Sequence, residues 1–353
     1  MRLSYCDTAK CIAIFCIVMG HTGFFMREFL YSFHVQMFFI CTGYVYSLKY
    51  TSIKAYLKEG LPKLIKRIYI PYILLVLIFN LQLKAENLPW LLWGSDQTVM
   101  HGKQFSFMWF LPTYFSAVII WNILNIKLKQ HQRFLLPTII AILCLLSSLT
   151  NNTSEISFDL CNHTFFLTGY SETLHQQNIH YIGFPLNINI ACTAVAFMYI
   201  GTILHKLFDK TNIVNHKATS IIYFIILTTL GIAASIYNHS LTGHMEMYPY
   251  IIAMSNGAYG NYPLFILTGT AISASLLIFS IWIDNKRMAQ IGRDTFGIYA
   301  LHPAVRNIIA YCIGSYGYIM YHAIGGIIMF FVTILILPFV KKWFPFIIGE
   351  KEK

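Results

Sequence analysis

Apolar stretches of about 20 residues recur along the whole chain, and that spacing leaves few folds open. A helix of that length crosses the hydrocarbon core of a bilayer. Between the stretches lie short polar breaks, and only 11% of the 353 residues are charged while 57% are hydrophobic. Soluble domains carry roughly 25% charged residues, so a water-soluble core is not the expected solution. The pattern predicts an all-α integral membrane protein with ten transmembrane helices. Their approximate limits are 9–26, 33–48, 68–83, 107–125, 134–150, 183–205, 218–237, 262–283, 295–313 and 319–340. Asp7 and Lys10 interrupt the first stretch and no small-residue cleavage site follows it, so it is expected to be retained as a span.

Charge decides orientation. With the N-terminus inside, all of the 25 lysines and arginines except Arg27, Lys84, Lys103 and Arg306 fall on or next to the inner side. This positive-inside bias predicts cytoplasmic termini and makes the net charge of +11 an orientation signal, not a nucleic-acid footprint. The outer loops differ in character: residues 151–182 hold Glu155, Asp159 and Glu172 but no Lys or Arg, and four N-x-S/T sequons begin at Asn151, Asn152, Asn162 and Asn238. Eight cysteines lie mostly inside apolar runs, with Cys161 in a polar loop and no C-x-x-C, so neither a disulfide framework nor a zinc site is indicated. No internal repeat or second domain is visible, and residues 1–353 are expected to form one membrane domain.

Against this apolar background the ionisable residues inside spans need a reason. Lys10 and His21 are eleven residues apart, which at 100° per residue returns them to within about 20° on one helix face, roughly 16 Å apart along the axis. Asp7 lies near the same face. His34 opens the second span from the outer side, so a hairpin brings two imidazoles to similar depth. Histidine is the side chain best suited to move a proton near neutral pH, and no third ligand follows at metal-binding spacing. The ninth span holds Tyr299, His302, Pro303 and Arg306. Pro303 cannot donate to the Tyr299 carbonyl, so a kink or an open acceptor is expected there. His302 and Arg306 share a face, and Arg306 sits about 20 Å along its span, level with His21. The segment Lys49–Arg67 is the densest basic one, suited to anionic headgroups or to the phosphates of a nucleotide-bearing donor. Trp109 and Phe110 suit an aromatic belt or a sugar-stacking surface. The histidines at 101, 163, 175, 180, 239 and 244 show no zinc-binding spacing.

The opening YCDTAKCIAIFCIVMGH…FHVQMFFICTGY resembles the start of acyltransferase family 3, especially its fucose 4-O-acetylase-like branch. The resemblance continues in KRIYIPYI (66–73), FMWFLPTYFSA (107–117), YGNYPLFILTGTAISASLL (259–277) and IGRDTFGIYALHP (291–303), in order along nearly the whole chain. It implies a ten-span inner-membrane enzyme that moves an acyl group, in most members acetyl from acetyl-CoA, onto sugars of surface or secreted glycans. The family's basic-x10-His motif falls on Lys10 and His21, its Phe-His on His34, its basic pair on Lys63 or Lys66 with Arg67, and its late Tyr-x-x-His on Tyr299 and His302. Cys11 stands where Gly is usual, Val35–Gln36 where Met-Pro is usual, and Cys41–Thr42 differ before Gly43; none of these removes an imidazole.

Together these readings give expected roles. Lys10, Lys63, Lys66 and Arg67 hold the donor's phosphates; His21 and His34 carry the proton work; His302 and Arg306 stabilise charge developing on the thioester oxygen; Trp109 and Tyr299 contact the acceptor, a glycan or a lipid-linked sugar. No metal and no nucleic acid are expected. The rival class is a transporter of a glycan or polar solute with proton coupling through the histidines. The near absence of carboxylates from the spans and of an inverted repeat argues against it.

Overall fold

The computed structural model describes residues 3–22, 26–79, 92–95, 106–131, 133–150, 183–242, 252–255, 257–313, 322 and 324–350. Helices make up 83% of these residues and no strand occurs among them, so the chain is all-α. In order, the helices are α1 Ser4–His21, α2 Arg27–Tyr31 and α3 Gln36–Tyr44, then helical turns over 53–69 that lead into α4 Ile70–Phe79. They continue with α5 Phe110–Lys127, α6 Leu135–Leu149, α7 Ile188–Thr211, α8 Lys217–Thr242, α9 Tyr262–Ile283, α10 Lys286–Arg293, α11 Thr295–Ile313 and α12 Gly325–Trp343.

A helix falls in each of the ten stretches expected from sequence, but length and composition qualify four to cross a membrane: Pro185–Thr211, Lys217–Leu241, Tyr262–Ile283 and Gly325–Trp343. Leu135–Leu149 is a shorter apolar helix. The helices that carry candidate chemistry are the ones that fall short. α1 and α11 lose hydropathy to Asp7, Lys10, His21, His302 and Arg306, and α3 is only 9 residues long. Polar side chains needed for chemistry lower the same quantity that marks a span. Lys84, Lys103, Cys161, the acidic loop 151–182, the sequons at 151, 152 and 162, and the histidines at 101, 163, 175, 180 and 244 lie outside the described residues.

The chain divides into two compact units, one of Met1–Ser47, Phe197–Met254 and Tyr259–Ile348, the other of Leu48–Ala196, Ser255–Ala258 and Gly349–Lys353. The first unit is built round α1, which packs against α2, α3, α9, α10, α11 and α12. Ala9, Ala13, Ile14 and Val18 are fully buried there, and the two alanines let neighbouring backbones approach α1 closely. Side-chain caps start the helices that follow: Asn261 Oδ1 accepts from Leu264 N with Pro263 in the first turn of α9, and Asn285 Oδ1 accepts from Met288 N at α10. α8 pairs with α9 and leaves Ile222, Ile225, Ile226 and Ile236 exposed on its other side, the face a lipid tail would cover.

The crossing of α3 with α7 is the tightest in this unit. A β-carbon on Gly43 would land on the Met198 carbonyl, and one on Gly201 would land on that of Ile40. The two glycines thus let the helices touch backbone to backbone, the small-residue packing that works where no hydrophobic effect drives helices together. Gly43→Val is expected to abolish well-folded protein, since overpacking costs about 1–3 kcal/mol even where side chains can yield and here backbone would have to move. Size-exclusion of the detergent-solubilised variant would show aggregate in place of the wild-type peak.

The second unit joins helical turns of 53–79 to α5 and α6 and to the first turns of α7. Tyr69 and Phe115 rings lie 5.2 Å apart. Asn187 Nδ2 donates to the Trp109 carbonyl at 3.2 Å and to Thr113 Oγ1 at 3.1 Å, and Ser147 and Thr193 hydroxyls meet at 2.7 Å. Buried polar groups are thereby paired without water.

Candidate active site

His21 is the last residue of α1, and its position follows from the helix period counted from Lys10. At the other end of that stripe Lys10 Nζ lies 3.3 Å from Asp7 Oδ1, with the carboxylate side chain buried and the ammonium partly exposed. The cation is therefore anchored on its own helix, one turn back.

What faces His21 comes from the far end of the chain. Pro303 lies inside α11 and has no N–H to give the carbonyl four residues back, which is Tyr299's. The side chain of His302 takes that acceptor instead: its Nδ1 lies 2.7 Å from the Tyr299 oxygen. Its other ring nitrogen, Nε2, lies 2.7 Å from Nδ1 of His21. The two imidazoles are stacked, with centroids 4.8 Å apart and planes 13° from parallel. His302 is fully buried.

This geometry fixes tautomers by elimination. A carbonyl oxygen only accepts, so Nδ1 of His302 carries the proton, and in the neutral ring Nε2 then carries the lone pair. His21 must donate through Nδ1–H, which leaves the lone pair on its Nε2. The opposite assignment would aim the Nδ1 lone pair of His302 at a carbonyl lone pair and forfeit a buried hydrogen bond, about 1–3 kcal/mol. A carbonyl, two imidazoles and a basic nitrogen thus form a row that prepares His21 Nε2 to accept a proton.

His34 stands on the other side of α1, and it too donates Nδ1–H to a backbone carbonyl, that of Leu30. It is buried. Tyr31 fills the space between. Its ring meets His34 edge-on with centroids 4.9 Å apart, lies 6.3 Å from the His21 ring, and covers Gly20, where an added β-carbon would stand 3.2 Å from the ring. Glycine before His21 is therefore what admits the tyrosine. Arg306, one turn beyond His302 on α11, and His34 both lie close enough to His21 to act on its charge. Just past His21, Thr22 and His322 clasp each other: Thr22 Oγ1 donates to the His322 carbonyl at 2.9 Å, and His322 Nδ1 donates back to the Thr22 carbonyl.

Of the residues expected from sequence, His21, His302, Tyr299, Arg306 and, through Tyr31, His34 come together in the first unit. Tyr299 contributes its carbonyl, and its ring lies 5.7 Å from that of His302. Lys63, Lys66 and Arg67 belong to the second unit, where all three are exposed. Trp109 is also in the second unit and only 7% exposed, so it offers little ring face to a sugar. Tyr31 and His322 were not singled out by sequence. Tyr31 sits three residues before His34, a spacing that shares a helix face, and that was the available signal. His322 gives none, because its partner is 300 residues away. Among the described residues no three His, Cys, Asp or Glu side chains are grouped to hold a metal.

A family model described as an acyltransferase domain matches residues 3–341. No curated protein matches the chain, and no solved structure does.

Proposed function

Because this chain belongs to acyltransferase family 3, we propose that it moves an acetyl group from cytoplasmic acetyl-CoA to a hydroxyl of a surface or secreted glycan at the outer side of the inner membrane. That it is a multi-pass membrane acyltransferase follows from the family and its apolar helices. The observation that carries the finer reading is the His302–His21 pair, 2.7 Å apart, which leaves a lone pair on a ring nitrogen held in one orientation.

Acetyl-CoA supplies the acyl group as a reactive thioester. Its phosphates need cations that are open to solvent, and Lys63, Lys66 and Arg67 fit that need, with Lys66 and Arg67 adjacent and exposed. Lys10 serves the same end only by sharing its ammonium with Asp7. His21 Nε2 takes the proton of the acceptor hydroxyl as its oxygen bonds to the acyl carbon, and returns it to the departing thiolate as the carbon–sulfur bond breaks. While it holds the proton, its Nδ1–H bond to His302 is charge-assisted and stronger. Arg306 stabilises the negative charge on the acyl oxygen. His34 and Tyr31 bound the other side of the acceptor.

The test is thiol release by the purified full chain supplied with acetyl-CoA. Release that rises at least tenfold on adding a glycan acceptor is the expected result. Proteoliposomes that move labelled glycan with no acyl donor, and release no thiol, would establish the transporter instead.

A further inference from the structure

One group of charges is not used up by proton transfer. Arg27 opens α2 and Tyr31 closes it, four residues on, so the two share a face. Tyr31 lies against His21, which lies against His302, and Arg306 follows His302 by one turn. Both guanidinium groups are near enough to the Tyr31 hydroxyl to act on its charge, and both arginines are half-buried. Glu28 is adjacent to Arg27 in sequence, but it is exposed, and neighbours at i and i+1 do not face each other on a helix. The ionisable groups described around His21 are therefore imidazoles, a phenol and two permanent cations.

Such a set is costly as it stands. Two guanidinium groups in or beside the apolar layer need negative charge near them, and the repulsion grows once His21 takes up a proton during transfer. The donor does not relieve it, because its reacting end is a neutral thioester. We propose that the acceptor carries an anionic group, a carboxylate or a phosphate, next to the hydroxyl that is acylated, held by Arg27 and Arg306 with the Tyr31 hydroxyl as a further donor. This deepens the acyl-transfer reading and rests on it for the identity of the acceptor. A planar carboxylate or a phosphate oxygen pair suits the fork of a guanidinium, and such charge-assisted bonds are about twice as strong as neutral ones. Two sources supply this chemistry: an acidic sugar in the glycan, or the pyrophosphate that links a sugar to its lipid carrier.

Binding by the full chain in nanodiscs tests this with three probes: a glucuronate-terminated oligosaccharide, its carboxyl-reduced neutral counterpart, and the same neutral sugar on a polyprenyl pyrophosphate. At least one anionic probe is expected to bind tenfold or more tighter than the neutral one, and which of them does so identifies the source. In Arg27→Gln the gap is expected to shrink at least fivefold, while Arg27→Lys keeps most of it; unchanged melting temperatures show that both variants are folded. Equal binding of all three probes to the wild type, or an undiminished gap in Arg27→Gln, overturns the proposal. Thiol release on the same samples separates the two readings. A binding gap without any thiol release defeats acyl transfer and leaves the anion site standing, whereas thiol release with equal binding does the reverse.

Discussion

His21→Ala is expected to lower acceptor-dependent thiol release at least a thousandfold. A positioned general base contributes about 10²–10⁴ in rate, and His21 is the residue that every part of the site serves: Gly20 admits Tyr31 beside it, His302 meets its Nδ1, and Thr22 with His322 fastens the chain immediately after it. The loss should fall on kcat, with KM for acetyl-CoA little changed, because the exposed cations assigned to the donor lie in the other unit. His21→Gln is the sharper variant. Its amide can still donate to His302 Nε2, so packing and stability should hold, yet it has no nitrogen basic enough to take a proton. A His21→Gln enzyme that keeps a tenth of wild-type turnover would remove His21 from the mechanism. The matching expectation for His34→Ala is a smaller fall, since no second imidazole orients it and its one described hydrogen bond is to the Leu30 carbonyl.

How much of this could be read from the chain depends on whether the relation is local. Lys10 and His21 fall on one stripe by arithmetic alone, and the structure keeps them on one helix. Pro303 also announced an unsatisfied carbonyl at Tyr299, and the structure fills it with the very next side chain back, His302. The contact between His21 and His302 was not legible, because the two are 281 residues apart and no periodicity links separate helices. Without that contact, His302 reads as a stabiliser of the thioester oxygen; with it, the ring nitrogen that could serve the oxygen is occupied by His21, and orientation is the role the geometry supports. Tyr31 escaped notice because it lies in the polar break between two apolar runs, where helix spacing is short and hydropathy says little. The basic density of 49–67 was plain in the sequence, but the π-helical turns at Tyr56–Gly60 and Ile65–Tyr69 that present it had no sequence signal. Span counting failed in an instructive way: residues that make α1 and α11 useful are those that lower their hydropathy below that of a lipid-facing helix such as α8.

His302→Ala is expected to cost about a hundredfold in kcat while leaving KM for both substrates within a factor of about three. The reasoning is a comparison of tautomers. With His302 present, one arrangement of protons satisfies the Tyr299 carbonyl and both rings; without it, His21 is free to place its proton on Nε2, where it blocks base catalysis, and the imidazolium formed during transfer loses its acceptor. A neutral acceptor does less than the buried aspartate of the Ser-His-Asp triad, whose replacement by asparagine costs about 10⁴, and a hundredfold is the corresponding share for an uncharged partner. His302→Gln offers an amide oxygen to His21 Nδ1–H and should restore part of kcat, an outcome that a purely packing role for His302 would not produce. Pro303→Ala probes the same row from its far end. It returns an N–H to compete for the Tyr299 carbonyl, so α11 should be as stable as before or more so, while His302 is held less firmly. Since a net hydrogen bond is worth about 0.5–1.5 kcal/mol and 1.4 kcal/mol is a factor of ten, kcat should fall about three- to tenfold as the melting temperature stays level or rises. The pair of results, lower turnover in a protein that is no less stable, is what distinguishes a proline kept to aim a histidine from one kept to bend a helix; wild-type turnover in Pro303→Ala would show that the Tyr299 carbonyl does not set the orientation of His302.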